Sequence, residues 1–269
     1  MSKDKKLEGY LKNWQEAEPD DLYKNFHKLD KEKQTASFFV RGTEFKLGQE
    51  GLEVLNGQKT PKSIEKSELT RINLWIGLSD FHKETIGFTP ILGLTFENAD
   101  QSESFFYEMG NVNPLLLRKP DDSSLLPLPF VEQVKKNWIE TTSDQMTDTV
   151  TSQSAIGLER VLVYEITGGG LDFFIENRKA LTNLYLYPGV DLNKSSVEDI
   201  SFISVFGLRF NNLLKDTTKD SFFRRSGYGI SWTLKKESGL DEDEVFLDYA
   251  RPCPPTCPPP PPPPPGSGV

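Results

Sequence analysis

The sequence predicts an α+β protein made of two diverged copies of one β-rich unit. Each copy opens on a short amphipathic helix and continues into largely antiparallel sheet, and a polyproline tail follows the second. Three observations carry this reading. Matching segments recur in the same order in both halves, hydrophobic periodicity switches from helical to alternating within each half, and Pro258 to Pro265 is an unbroken proline run.

The matches begin with Leu7-Glu8-Gly9-Tyr10-Leu11-Lys12-Asn13-Trp14 and Val131-Glu132-Gln133-Val134-Lys135-Lys136-Asn137-Trp138, 124 positions apart. Both place apolar residues at i, i+3 and i+7, one face of a helix. Ser37-Phe38-Phe39-Val40 then pairs with Arg160-Val161-Leu162-Val163. Leu69-Thr70 through Trp75 and Gly77 resembles Leu181-Thr182 through Tyr185 and Gly189. Leu92 to Asn98 matches Phe206 to Asn212, and Ser104-Phe105-Phe106 with Gly110 matches Ser221-Phe222-Phe223 with Gly227. The spacing drifts as loops of different length would make it drift. Such internal similarity outranks local propensity as a guide to architecture.

After each helix the pattern becomes strand-like. Leu92, Leu94 and Phe96 alternate with Gly93, Thr95 and Glu97, and Phe206, Leu208 and Phe210 alternate with Gly207, Arg209 and Asn211. Alternation predicts strands with one buried and one wetter face. Turn formers punctuate them: Asn56-Gly57, Gly168-Gly169-Gly170 as a hairpin turn, and Pro188-Gly189. The units are set at residues 1–120 and 130–238, with a linker at 121–129 and an acidic then proline-rich tail at 239–269.

Composition bounds function. A net charge of −9 and a pI near 5.0 disfavour nucleic acid, whose phosphates demand concentrated Lys and Arg. No segment has the length of apolar sequence that a membrane span or signal peptide needs, so the protein is expected in the cytoplasm, or exported without such a signal. Cys253 and Cys257 are the only cysteines and both fall in the tail, which excludes a disulfide-built domain and leaves them for a small loop or a cross-link. His27 and His82 are the only histidines and neither recurs in the other copy, so no catalytic residue, metal site or cofactor is assigned. The acidic run Asp241-Glu242-Asp243-Glu244 lacks the glycine of a calcium loop and reads as a solvated face.

Two aromatic groups are the binding candidates. Arg224, Arg225 and Tyr228 form a locally basic cluster suited to a small anion or glycan, and Trp75 with Tyr185 suggests a sugar-stacking platform. Each has a plain structural alternative, as strand and turn residues. Pro258, Pro261 and Pro265 lie along a rod of about 25 Å as polyproline II, the form that aromatic-lined protein grooves take up. The leading expectation is a non-catalytic structural or interaction protein with a protein partner at the tail. A glycan- or small-ligand-binding, lectin-like module comes second, and a hydrolase using paired carboxylates third.

Overall fold

The computed structural model of the chain describes residues 3–29, 39–59, 67–80, 84–99, 101–112, 128–154, 157–166, 169–192, 201–210, 243–247 and 250–253. The first half runs α1 (Lys3–Glu16), α2 (Pro19–Asn25), β1 (His27–Leu29), β2 (Phe39–Arg41), β3 (Phe45–Leu47), α3 (Gln49–Leu55), β4 (Glu68–Leu78), β5 (Phe88–Glu97) and β6 (Ser102–Asn111). The second runs α4 (Leu128–Glu140), α5 (Ser143–Val150), β7 (Thr151–Ser154), β8 (Gly157–Arg160), β9 (Val163–Ile166), α6 (Gly169–Asn177), β10 (Leu181–Val190), β11 (Phe202–Phe210), β12 (Asp243–Leu247) and β13 (Ala250–Cys253). Helix, helix, three short strands, helix and then long strands recur in the same sequence. The α+β class and the antiparallel sheet are as expected: every strand pair among the described residues is antiparallel.

Local chemistry explains the helix ends. Pro19 opens α2, where its missing N–H is not needed, and Asp20 and Asp21 face the positive end of the helix dipole. Pro129, expected in the linker, instead sits in the first turn of α4 for the same reason. At the far end of α3, Gly57 takes φ 79°, the left-handed cap that glycine reaches without steric cost.

Among the described residues nine strands form one sheet, in the order β12-β11-β10-β3-β6-β5-β4-β9-β13. Its two outer strands are consecutive in the chain. Leu247 ends one and Ala250 begins the other, three residues that span about 11 Å at most. The sheet is therefore rolled until its edges nearly meet, and the chain passes from one edge to the other. β6 does the same on the opposite side. Its residues 102–108 pair with β5 and its residues 109–111 pair with β3.

One core fills this roll. Leu74, Ile76, Leu92 and Leu94 from the first half and Leu184, Leu186, Phe206 and Leu208 from the second are buried in one hydrophobic cluster. Aromatic rings seal the end where the helices enter. Phe26 lies 4.6 Å from both Phe88 and Trp138, Phe45 is 5.2 Å from Phe88, and Trp138 is 5.4 Å from Phe202. Rings from both halves interleave, each tilted or edge-on pair contributing about 1 kcal/mol beyond its buried area.

The Asn-Trp pair shared by both helices has a defined role. Asn13 donates to the Leu78 carbonyl (3.3 Å) and Asn137 to that of Val190 (2.9 Å), each tying its helix to its own half's long strand. The tryptophans cross over. Trp14 Nε1 donates to the Val161 carbonyl (2.7 Å) and Trp138 Nε1 to that of Gly42 (3.0 Å). Two arginines repeat the crossing in reverse: Arg160 donates to the Trp14 and Gln15 carbonyls, and Arg41 to those of Trp138 and Thr141. Both long hairpins carry a register shift at the same place, between Leu69 and Arg71 and between Leu181 and Asn183. In each, the bulged threonine hydroxyl donates to the facing strand, Thr70 to Thr95 and Thr182 to Arg209.

Several expectations are corrected. Gly169 opens a helix rather than a hairpin turn, because Leu171 and Phe174 stand at helical spacing and turn toward the core. Arg160 stands where Arg41 stands, four residues away from the alignment expected for that segment. The β5 strand is buried on both faces, since Thr95 on its expected wetter face is 8% exposed beneath its neighbours. The paired chain also runs past residue 238. Asp243–Leu247 pairs with β11, and Ala250–Cys253 pairs with β9. Arg251 to Cys253, expected outside the body, are therefore part of the sheet. Pro252 is tolerated there because β13 is an edge strand, which needs only part of its backbone in the ladder. The Ser221-to-Gly227 match lies outside the described residues, and β12 occupies the position next to β11 that β6 occupies next to β5.

Candidate functional site

Where β6 leaves β5 for β3, the strands fork, and a groove of about 290 Å³ opens at the fork. The start of α1 roofs it with Lys6, Leu7 and Tyr10, the start of α3 contributes Gly48, Glu50 and Gly51, and the floor is Ile91, Phe106, Tyr107 and Glu108. Helix α1 is held by Asn13 and by the seat of Tyr10 on Gly77. A Cβ on Gly77 would lie 2.8 Å from that of Tyr10, so glycine lets the helix approach. Gly51 lets α3 approach Tyr107 just as closely.

The groove is amphipathic. Lys6 pairs with Glu108 across its rim, and its ammonium lies 5.3 Å from the centre of the Tyr10 ring. The hydrogen bond to Glu108, then that to Tyr10, holds the Lys6 pKa above its ordinary value. Burial, with the Glu50 charge second, pushes the Tyr107 phenol up to about 12, so it stays a neutral hydroxyl. Beside the groove, Trp75 is opposite Ile91 in the β4–β5 ladder and lies against Gly93, as does Phe106 from the other side. The Trp75 indole nitrogen and the Asn73 side-chain oxygen Oδ1 are both buried without a hydrogen-bond partner.

The expected site residues are not brought together. Trp75 is half-buried at the edge of this groove. Tyr185 lies on the other half's strand, 5% exposed, with Arg209 4.5 Å and Lys46 5.6 Å from its ring centre. It stacks near Tyr187, over which Lys135 sits. Arg224, Arg225, Tyr228, Cys257, Pro258, Pro261 and Pro265 lie outside the described residues, as does His82; Cys253 is described only as the last backbone pair of β13, opposite Val163. Sequence reasoning missed Lys6, Tyr10, Phe106, Tyr107 and Glu108. The signal that could have found them is a mismatch between the two aligned segments: Phe130, Val131 and Val134 of α4 stand where α1 has Lys6, Leu7 and Tyr10.

His27 lies elsewhere, at the junction of the halves. Its Nδ1 is 2.6 Å from the Tyr23 carbonyl, and Arg41 Nε donates to its Nε2 (3.1 Å). Arginine can only donate, so Nε2 accepts and the proton sits on Nδ1. Burial lowers the His27 pKa, the Tyr23 bond opposes this, and Arg41 lowers it further. The folded state thus favours neutral histidine. Its contribution is complete above the ordinary pKa of about 6.5 and is lost as pH falls from there toward the lower folded value. Melting curves between pH 7.5 and 5.5 are expected to fall by a few degrees, and His27→Gln to flatten that fall. An unchanged slope in the variant would remove His27 from the account.

Among the described residues, no three His, Cys, Asp or Glu side chains converge as a metal would require, and no helix is long and apolar enough to cross a membrane. The fold is an α+β, β-rich body rolled about one core. No family model, curated protein or solved structure matches this chain.

Proposed function

We propose that this chain is a non-catalytic interaction protein, a duplicated barrel scaffold that holds out its polyproline segment as a docking rod. The observation that carries the reading is the pairing of Ala250–Cys253 with β9, which anchors the chain immediately before Pro254. A rod held at its base by a rigid sheet presents its ligand face at little further entropic cost. Duplication is supported by the repeated element order, the crossed tryptophan and arginine bonds, and the matched threonine bulges. Joining two copies buries in one core the faces that each alone would expose. The sugar-platform reading draws no support from Tyr185, whose ring lies between two cations.

The test is titration of a panel of SH3, WW and EVH1-type domains against the full chain and against a chain ending at Cys253. Saturable binding to the full chain, lost from the shorter one while its melting temperature is kept, is the expected result. Failure of the entire panel to bind overturns the proposal.

A further inference from the structure

We propose that the groove at the β6 fork is the receptor, within the same molecule, for this chain's own polyproline segment, Pro258 to Pro265. The inference rests on the docking-rod reading for its choice of ligand and adds where the rod first docks.

The two halves differ where helix meets sheet. In the second half Phe130, Val131 and Val134 of α4 close over Tyr185, Tyr187 and Ile203, the counterparts of Asn73, Trp75 and Thr89. In the first half α1 roofs the groove, and Trp75, opposite the lining residue Ile91, and Asn73, opposite Gly93, carry unpartnered buried polar atoms. The seam between helix and sheet is thus apolar under α4 and carries Asn73, Trp75 and Lys6 under α1, where the groove lies. A burial cost of roughly 1–3 kcal/mol for each orphaned polar atom is a poor bargain for a face whose only role is packing.

Chemistry names the occupant. A proline run offers flat apolar rings and carbonyl acceptors but no N–H donors. Its receptor must supply ring faces and donors, and the groove supplies both. Tyr10 and Phe106 give aromatic surface, while the Lys6 ammonium and the Tyr10 hydroxyl are donors at the rim.

Reach places the ligand within range. Cys253 is opposite Val163, Val163 opposite Trp75, Trp75 opposite Ile91, and Ile91 opposite Glu108. The last described residue before the prolines thus shares one cross-strand row with two residues that line the groove. Four strand spacings are about 19 Å. Five residues from Cys253 to Pro258 cover about 15 Å at 3.1 Å each, and the rod extends about 25 Å beyond. Tethering at this range gives an effective concentration on the order of millimolar, so even a weak contact is occupied.

The experiment titrates a synthetic peptide of residues 254–265, carrying Cys257→Ser, into the chain ending at Cys253 and into the full chain. Saturable binding to the shorter chain, at least tenfold weaker to the full chain, is expected, with Phe106→Ala abolishing it. Should Phe106→Ala not fold, the exposed Lys6→Ala is expected to weaken binding severalfold at unchanged melting temperature. No binding to the shorter chain, equal binding to both chains, or concentration-dependent self-association of the full chain overturns the proposal. If any of these occurs while an SH3, WW or EVH1-type domain still captures the full chain, the groove alone is refuted and the docking rod stands.

Discussion

Arg41→Ala is expected to lower stability by about 3–5 kcal/mol and the melting temperature by roughly 10 °C. Arg41 is 8% exposed, and burial draws its guanidinium pKa below the ordinary value while Tyr23 opposes the shift. The guanidinium stands 5.0 Å from the Trp138 ring centre and 5.1 Å from that of Tyr23. It donates to two carbonyls at the end of α4 and to His27. Truncation leaves both carbonyls buried without that donor and removes two ring contacts, each worth about 1–2 kcal/mol when desolvated. Arg160→Ala removes the matching brace on the other side. That guanidinium is nearer solvent, so water replaces it and the loss is about 1 kcal/mol. Arg41→Lys keeps the charge but not the fork, and should recover less than half of the loss. Urea denaturation of the three variants measures this, and equal losses for Arg41→Ala and Arg160→Ala would show that the brace is not asymmetric.

Ending the chain at Glu242 is expected to abolish cooperative folding, whereas ending it at Cys253 leaves the melting temperature within a few degrees. The first deletion removes β12 and β13 and leaves β11 and β9 with unpaired edges along the five and four positions they now share. Exposed strand edges invite pairing with other molecules, so aggregation is the expected outcome. A roll whose two edges are β12 and β13, consecutive in the chain, loses its closure and the lateral support of both flanks at once. The second deletion removes prolines that have no backbone donors and so no place in the sheet ladder, and whose contact with the groove is weak on its own. Solubility and circular-dichroism melts distinguish the cases. A Glu242-terminated chain that melts like the full protein would mean the closing strands contribute little.

Sequence periodicity by itself determined the class and most of the elements. Leu7, Tyr10 and Trp14 announce a helix, Leu92, Leu94 and Phe96 a strand, and the Asn-Trp pair recurs in α1 and α4. These signals are local, carried by side chains a few positions apart on one face. Two local signals misled. Glycines before Leu171 outweighed a short helix, since nine residues barely establish a helical period. Proline and acidic composition concealed β12 and β13, because an edge strand is held by its neighbour's backbone, which sequence does not record.

Everything that joins the halves belongs to the tertiary structure. Trp14 donates to a carbonyl 147 positions away and Arg41 to one 97 positions away, and a carbonyl is the same group at every residue. The groove arises in the same manner. Lys6 meets Glu108, 102 positions on, only after α1 has settled on Gly77 and β6 has forked between two partners. Both halves carry the pattern of a helix over a sheet. How each helix seats on its sheet depends on side-chain volumes meeting across it, and that is decided only when the strands have taken their register.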